Sequence, residues 1–491
     1  MEDDKQLYGK IASAAKWSSI TEIIAKIFVP VTNMILARLL VPEAFGVIAT
    51  ITMIISFVEM FADAGFQKYL IQREFKSEND KHLYANVAFW TNFVISLFLW
   101  SIISLFNEQI ATMVGNPGLG VVVIVASIQL PITAFSSIQM ALFRRDFDFK
   151  SLFIVRIIAV IIPFIVTIPL AFLNFGYWSV IIGAICMQLF NAVILTVKSK
   201  WKPRLFYSLQ ILREMLSFSV WSLVESISIW LTAWVDAFII SYFMNEYYLG
   251  IYKTSTIMVN SLLALVTAAT VPVLFSSLSR LQNDDEKFKQ VFLKFQRLAS
   301  ILIFPIGVGV FLYSDLATQL LLGSHWKEAS GVIGIWGLTS SIMIVFGHYC
   351  SEVYRAKGRP KLSFLSQALH LIVLVPTCVI AAKYGFWPLV FARSLVRIQF
   401  VIVHLSIMKI KIKISVLNTF RNVLPTMIAT IAMGLFGYFL KTVVSESILW
   451  SIFSIVLCVC LYLIVLFFFP TLRMELMSLI TKVSPKKLFK K

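Results

Sequence analysis

The 491-residue sequence is 59% hydrophobic and only 14% charged, and its mean hydropathy is +0.86. This composition excludes a water-soluble globular protein, because ordinary soluble domains carry fewer apolar and more charged residues. The formal net charge of +18 would suit either a nucleic-acid partner or a membrane surface, so the placement of the basic residues has to decide between them.

A hydropathy window of about 19 residues finds about fourteen apolar segments long enough to cross a bilayer. A span needs about 20 apolar residues, and its backbone must satisfy its own hydrogen bonds in lipid, so each segment is predicted to be a helix. In chain order the predicted spans cover residues 14–37, 44–64, 84–106, 119–141, 152–173, 177–197, 214–243, 251–275, 294–315, 330–352, 362–382, 387–407, 420–440 and 446–468. The predicted fold class is an all-α integral membrane protein with short loops.

The basic residues are concentrated on one side of these spans. The N-terminus, the even-numbered loops and the C-terminus hold 30 of the 43 Lys and Arg, whereas the odd-numbered loops hold only Arg38, Lys327, Lys383 and Lys441. By the positive-inside rule, this bias predicts that both termini are cytoplasmic. The basic loops are then expected to lie against anionic lipid headgroups, and no nucleic-acid partner is expected.

Cysteine and motif content argue against an enzyme. The five cysteines all fall within predicted spans and show no metal-ligand spacing, so they are predicted to be packing residues. The sequence contains no Walker loop, HExxH motif or nucleophile elbow. We therefore predict a transporter that has no metal and no cofactor.

Three anchor motifs in the first half recur in the second half at a nearly constant shift. Trp17-Ser18 precedes Gly46 by 29 residues, as Trp221-Ser222 precedes Gly250. The other two pairs are Phe143-Arg144 with Tyr354-Arg355, and Gly176-Tyr177-Trp178 with Gly385-Phe386-Trp387. The repeat predicts two parallel six-helix lobes, residues 1–200 and 201–412, followed by two extra helices and a basic tail in residues 413–491. Transporters built from such repeats hold the substrate between the lobes.

Charged side chains at membrane depth usually face a cavity or a partner. In the first span, Glu22, Lys26 and Asn33 share one helical face by their spacing of four and seven. Glu22 and Lys26 either neutralise each other or line a cavity, and the two roles are compatible.

A longer polar stripe runs along the seventh span, the repeat-equivalent of the first. Its members are Trp221, Glu225, Ser228, Thr232 and Asp236. We expect this stripe to line a cavity between the lobes, and the alternative is polar contact between helices.

Two arginines in the twelfth span, Arg393 and Arg397, are four residues apart and so share a face. At 1.5 Å per residue they lie roughly 9 and 15 Å from the predicted external end. A guanidinium pair suits a phosphate, because each fork can bind two oxygens. Arg156 and Lys26 are candidates for the same basic cavity, and the alternative is pairing with Glu225, Asp236 or another buried acid.

A carboxylate pair, Glu59 and Asp63, lies near the cytoplasmic end of the second span. We expect both to be solvated, and the alternative is a proton site, because two close carboxylates raise one pKa. The following segment, residues 67–76, is predicted to be a short amphipathic helix on the membrane interface.

Several sequence motifs resemble those of one transporter family. ILARLLVPEAFG at residues 35–46 and FADAGF at 61–66, with LIQR at 70–73, are similar to the opening motifs of bacterial polysaccharide flippases. LFRRDF at 142–147 and GYWS at 176–179 are similar to later motifs. On these motifs the chain is identified as a member of the Wzx-type translocases, in the multidrug/oligosaccharidyl-lipid/polysaccharide exporter superfamily.

The resemblance implies a bacterial inner-membrane flippase that moves an undecaprenyl-diphosphate-linked oligosaccharide from the inner to the outer leaflet. Its product would serve O-antigen, capsule or exopolysaccharide assembly, with a polymerase and export machinery as partners. The family's cationic central cavity would suit Lys26, Arg156, Arg393 and Arg397, together with Asn33 and Trp221. Coupling to protons or sodium is implied by the superfamily, with Glu22, Glu225, Asp236 and Asp63 as the candidate residues.

Two other functions compete with a flippase. A multidrug extrusion antiporter of the same superfamily would normally stop at twelve spans and favour an acidic cavity. A membrane glycosyltransferase or ligase would usually carry a substantial charged external loop, whereas the longest predicted here, residues 107–118 and 316–329, are short.

Overall fold

The computed structural model describes residues 2–63, 65–443, 447–470, 472–475 and 477. Within these ranges, the side chains of residues 2–12, 14–15, 19, 217–222, 224–225, 269 and 360 lie outside the description. The regular secondary structure of the described residues is entirely helical, and the predicted all-α fold class is confirmed.

Ten α-helices lie in the first 200 residues. They are α1 (Glu2–Leu39), α2 (Pro42–Asp63), α3 (Phe66–Gln72), α4 (Glu78–Leu105), α5 (Asn107–Met113), α6 (Gly120–Ser127), α7 (Gln129–Arg145), α8 (Phe149–Ile162), α9 (Ile168–Phe172) and α10 (Tyr177–Lys198). A π-helical turn at Pro163–Thr167 joins α8 to α9, where the proline cannot donate to the helical ladder.

Ten more α-helices follow in the described part of the chain. They are α11 (Leu209–Phe243), α12 (Glu246–Arg280), α13 (Asp285–Leu312), α14 (Ser314–Leu321), α15 (Ala329–Met343), α16 (Tyr349–Ala356), α17 (Pro360–Ala382), α18 (Phe386–Ile407), α19 (Val416–Val443) and α20 (Ile448–Phe467). Short helical turns also occur at Ser324–Trp326, Ile344–His348 and Met408–Ile412.

The described residues contain fourteen helical segments that are long and apolar enough to cross a membrane, as predicted. The span in α13 is Asp285–Leu312 and begins nine residues earlier than the predicted span, residues 294–315. In α11 and α12 the spans are followed only over Ser226–Phe243 and Glu246–Ala268, because the side chains of residues 224–225 and 269 lie outside the description.

The chain divides into two compact units. Unit 1 comprises Met1–Thr254, Leu322–Trp326 and Cys378–Pro388, and unit 2 comprises the remaining segments from Ser255 to Lys491. These limits differ from the predicted lobes, because the first helix of the second repeat packs with unit 1. The predicted lobe boundaries at residues 200 and 412 therefore stay a prediction.

The backbone supports the internal repeat. Gly176 and Gly385, which the sequence anchors align, both have positive φ, of 55° and 110°, directly before α10 and α18. Phe147 and Gly358 are 211 residues apart, the shift of the second anchor, and both also have positive φ, of 58° and 65°. Positive φ is rare outside glycine, so its recurrence at matching loop positions is a shared structural feature.

The α3 segment differs from its prediction as an interfacial helix. Phe66 and Leu70 are completely buried, and they join Tyr84 and Ile138 in the apolar core of unit 1. The apolar face of α3 therefore packs on protein, because α4 and α7 lie beside it. An amphipathic pattern shows that a helix has an apolar face and does not show what covers that face.

In unit 2, α19 and α20 pack against α13. Ala429 and Met433 of α19 join Cys458 and Tyr462 of α20 in one apolar cluster. At one end of this packing, the Arg297 guanidinium forms an ion pair with Glu475 and donates a 2.9 Å hydrogen bond to Asn422 Oδ1.

Candidate functional site

The two arginines of α18 lie against a buried tryptophan of unit 2. Arg393 is 6% exposed and Arg397 is partly buried. Their guanidinium carbons lie 5.4 Å and 3.9 Å from the centre of the Trp336 ring. Arg397 also donates a 2.6 Å hydrogen bond to Ser340 Oγ, and Trp336 Nε1 donates to Asn260 Oδ1 at 3.2 Å. The two arginines thus lie on one side of α18 and form a compact cationic cluster, and their role in a cavity stays a prediction.

This arrangement holds two positive charges at membrane depth. The contacts with Trp336 and Ser340 fix the orientation of the Arg397 guanidinium. A guanidinium over a desolvated tryptophan face gains about 2 kcal/mol or more. That gain offsets part of the cost of keeping arginine in a membrane, which is at least about 2.5 kcal/mol on insertion scales. A preorganised cationic cluster of this kind is chemically suited to bind an anion.

Sequence analysis missed Trp336, Ser340 and Asn260. Trp336 and Ser340 are four residues apart on α15 and share a face, but a lone tryptophan in an apolar span gives no sign of its partner. Asn260 belongs to α12, which lies distant in sequence from both α15 and α18.

The Asp236 carboxylate is enclosed within unit 1. Asp236 is 4% exposed, and its Oδ2 accepts a 2.7 Å hydrogen bond from the hydroxyl of Tyr252, itself 1% exposed. Its Oδ1 accepts the backbone N–H of Ala237 at 2.8 Å. Asp236 was expected to face a cavity. Its carboxylate is instead enclosed and accepts hydrogen bonds within the protein, which corresponds to the alternative of polar contact between helices. Its ion-coupling role stays a prediction.

The remaining members of the α11 stripe are only partly described. Trp221 and Glu225 lie on α11, and their side chains fall outside the described residues. Ser228 and Thr232 are partly buried. The predicted roles of Trp221 in the cavity and of Glu225 in ion coupling therefore stay predictions.

The predicted polar residues of α1 and α8 are more accessible. Glu22 and Arg156 are exposed, whereas Lys26 and Asn33 are partly buried. Helices α1 and α8 pack together, as the ring contact of Trp17 with Phe153 at 4.9 Å shows. These two adjacent helices of unit 1 thus carry basic side chains at membrane depth, and the cavity role of these side chains stays a prediction.

The Glu59 and Asp63 pair differs from its expected solvation. Both residues are only partly exposed, and Oδ1 of Asp63 is fully buried. The physical reason lies in α3, whose first residue, Phe66, is completely buried just beyond the end of α2. The ion-coupling role of Asp63 stays a prediction.

A buried polar cluster that sequence analysis did not find joins residues of the two predicted lobes within unit 1. The Asn116 amide nitrogen donates to Thr50 Oγ1 at 3.3 Å and to Ser241 Oγ at 3.1 Å. All three side chains are at most 4% exposed. The cluster connects α2 and α11 to the loop between α5 and α6.

Beside this cluster, two repeat-related glycines allow very close helix packing. A Cβ built on Gly46 of α2 would lie 1.8 Å from the carbonyl oxygen of Glu246, and one built on Gly250 of α12 would lie 1.9 Å from that of Pro42. Only glycine fits at such distances. The sequence anchors marked these two positions, and the structure supplies the reason.

Fold and composition together define a multi-pass, all-helical membrane protein. Residues 35–331 match the family described as "Polysaccharide biosynthesis protein". This range covers more than half of the chain, so the chain belongs to that family. The predicted membership in the Wzx-type flippase group is confirmed.

Two curated relatives illustrate the similarity. "Succinoglycan biosynthesis transport protein ExoT" of Rhizobium meliloti (strain 1021) is 25% identical over 64% of this chain and 63% of its own length. "Lipopolysaccharide biosynthesis protein WzxC" of Escherichia coli (strain K12) is 23% identical over 76% of this chain and 75% of its own. The alignment thus spans slightly less than two thirds of ExoT.

A solved structure agrees with the fold. "Lipid II flippase MurJ, inward closed conformation" superposes with a TM-score of 0.73 at 15% identity, covering 92% of this chain and 98% of that one. At this identity, the similarity establishes the shared fold of the two chains.

Proposed function

We propose that this protein is a flippase that moves a lipid-linked oligosaccharide, carried on undecaprenyl diphosphate, from the inner to the outer leaflet of the bacterial cytoplasmic membrane. The product would feed the assembly of O-antigen, capsule or exopolysaccharide. The observation that carries this proposal is the Arg393–Arg397–Trp336 cluster in a chain of the polysaccharide biosynthesis family.

The cluster fits the chemistry of such a substrate. A diphosphate linker presents several oxygens, and a guanidinium fork binds two of them at once. Because Trp336 and Ser340 orient the Arg397 side chain, little side-chain entropy is lost when an anion binds. We propose Lys26, Asn33 and Arg156 of the first repeat and Trp221 of the second repeat as further substrate contacts.

We infer alternating access from the two repeats. In such transporters one lobe rocks against the other around a midplane site. The close packing at Gly46 and Gly250 and the Asn116 cluster hold helices of both predicted lobes together at one end. We expect these contacts, which would lie on the external side, to separate when substrate is released there.

Ion coupling is a finer part of the proposal. Protons or sodium would bind at one or more of Glu22, Asp63, Glu225 and Asp236, which belong to α1, α2 and α11. Of these, Asp236 has the most defined surroundings, because Tyr252 holds one of its oxygens.

We propose that both termini are cytoplasmic, following the distribution of Lys and Arg. The C-terminal tail beyond residue 477 lies outside the described residues. In a background without reactive cysteines, Pro117→Cys should react with an impermeant maleimide in intact cells, whereas Lys202→Cys should react only after permeabilisation. The reverse pattern would contradict the topology.

Deletion of the gene tests the function. We expect the deleted strain to lose its surface polysaccharide and to accumulate the undecaprenyl-diphosphate-linked repeat unit, and we expect the wild-type chain to restore export. Unchanged polysaccharide together with new sensitivity to cationic dyes would instead support a multidrug antiporter.

A further inference from the structure

An apolar groove lies on the surface of unit 1 between α4, α7 and α10. It has a volume of about 460 Å³. Phe93 and Phe135 line it, with ring centres 6.1 Å apart. Its α10 wall carries Val193 and Val197, which are 58% and 73% exposed. The groove is therefore open on the outer surface of the helices, which in a membrane-spanning segment is the surface that contacts lipid.

The groove covers the depth of about one leaflet. Its α10 lining runs from Leu189 to Val197, and α10 ends at Lys198. The nine helical steps from Leu189 to Lys198 span about 13.5 Å at 1.5 Å per residue, close to half of the roughly 30 Å hydrocarbon core. An extended chain in this groove would start at the Lys198 end and reach about the midplane.

The end of the groove at Lys198 carries a cluster of cations. Lys198, Lys200, Lys202 and Arg204 are all exposed. The Lys202 ammonium donates to the backbone oxygens of Thr196, one of the groove residues, and Val197. These cations therefore begin where the apolar lining ends.

The backbone of this basic loop is fixed to the protein. Trp90 Nε1 donates to the carbonyl oxygen of Arg204 at 2.8 Å, and the Arg204 N–H donates to Asn86 Oδ1 at 2.9 Å. Between these cations, Trp201 is 5% exposed and packs on Phe89, with ring centres 5.9 Å apart. The loop thus presents its cations at a defined place.

We propose that this groove is a binding site for one anionic glycerophospholipid of the inner leaflet. One acyl chain lies along Phe93, Phe135 and Val193, and the phosphate meets Lys198 and Lys200. The size of the groove favours this occupant, because a single acyl chain spans one leaflet whereas a polyprenyl chain is much longer. The site is separate from the proposed substrate site at Arg393 and Arg397, so the two can be tested independently.

Purified protein in nanodiscs of phosphatidylglycerol or phosphatidylcholine provides the test, with native mass spectrometry of the protein released from each. We expect one retained phosphatidylglycerol per chain and much less phosphatidylcholine. Lys198→Gln with Lys200→Gln should weaken retention roughly 30-fold, at about 1 kcal/mol per lysine near an anionic headgroup. Val193→Trp, which fills the groove, should abolish retention of the bound lipid.

Two matched controls separate the site from general effects. Val121→Trp places the same bulk on α6 at a comparable exposure of 65%, outside the groove. Lys409→Gln with Lys411→Gln removes the same charge from exposed positions after α18. Both controls should retain the lipid.

Wild-type retention by both the Val193→Trp variant and the lysine pair variant would overturn the proposal. So would a bound mass that matches a polyprenyl phosphate rather than a glycerophospholipid. Because lipid retention is read without transport, a failure here leaves the flippase proposal standing, and loss of flippase activity elsewhere leaves this site standing.

Discussion

The charged residues of α18 and those of α1 and α8 show the same sequence signature in different surroundings. Arg393 is buried, and the partly buried Arg397 lies 3.9 Å from the centre of the Trp336 ring. Glu22 and Arg156, also placed at membrane depth by the sequence, are exposed. Spacing thus shows which residues share a helical face, and the neighbouring helices decide whether that face is enclosed.

Loss of the Arg397 guanidinium should have the largest effect on transport. Arg397→Ala should reduce export roughly 30-fold, because a hydrogen bond from a charged donor to an anionic substrate contributes about 2 kcal/mol and each 1.4 kcal/mol is tenfold. Arg397→Lys keeps the charge but loses the fork, so its loss should be smaller. Export of labelled polysaccharide, normalised to protein abundance, measures both. Full export by the alanine variant would remove the arginine cluster from the mechanism.

Trp336 should have the next largest effect, through its support of both arginines. We expect Trp336→Leu to reduce export roughly tenfold and Trp336→Phe to reduce it less, since phenylalanine keeps an aromatic face and loses the hydrogen bond to Asn260. Equal export by the two variants would show that the aromatic face is unimportant.

The buried hydrogen bond from Tyr252 to Asp236 in unit 1 should affect stability more than transport. Tyr252→Phe removes the hydroxyl that Asp236 accepts from, and an unsatisfied buried partner costs about 1–3 kcal/mol. A lower Tm in detergent is therefore expected. Tyr242→Phe is the control, because Tyr242 is 59% exposed, and it should leave the Tm unchanged. An unchanged Tm for Tyr252→Phe would mean that water replaces the hydroxyl.

The exposed charges should have the smallest effects. Arg156→Gln should leave abundance and Tm unchanged, because little burial is lost, and should lower export only a few-fold, because Arg156 is one of several proposed substrate contacts. Glu22→Gln should change the Tm by less than its measurement error, as exposed charges contribute about 0–1 kcal/mol. A large fall in abundance for either variant would place these residues in the protein interior instead.

The membrane fold could be predicted from the sequence because hydropathy and span length follow from the bilayer itself. The fourteen spans agree, and the arginine face of α18 followed from a spacing of four. The side chains that other helices contribute to the arginines and to Asp236 could not be predicted. Trp336 reaches the arginines from α15, and Tyr252 reaches Asp236 from the next helix, and neither pairing leaves a periodic signal.

The α3 segment and the glycine pair Gly46 and Gly250 both show that a sequence pattern does not identify the packing partner. The amphipathic pattern of α3 was correct, but its apolar face meets α4 and α7 rather than lipid. The equal spacing of Gly46 and Gly250 from the two tryptophans indicated a repeat, but only the close approach of Glu246 and Pro42 explains why glycine is required.

Translocation by purified protein is the most direct test of the central claim. Proteoliposomes would contain an undecaprenyl-diphosphate-linked oligosaccharide, and the fraction reaching the opposite leaflet would be read by an impermeant sugar-modifying enzyme. We predict rapid translocation with the wild-type chain, and rates near those of empty liposomes with the Arg393→Ala/Arg397→Ala variant at equal incorporation. Equal rates for wild type and empty liposomes would contradict the flippase function, and equal rates for wild type and the double variant would contradict the role of the arginine cluster.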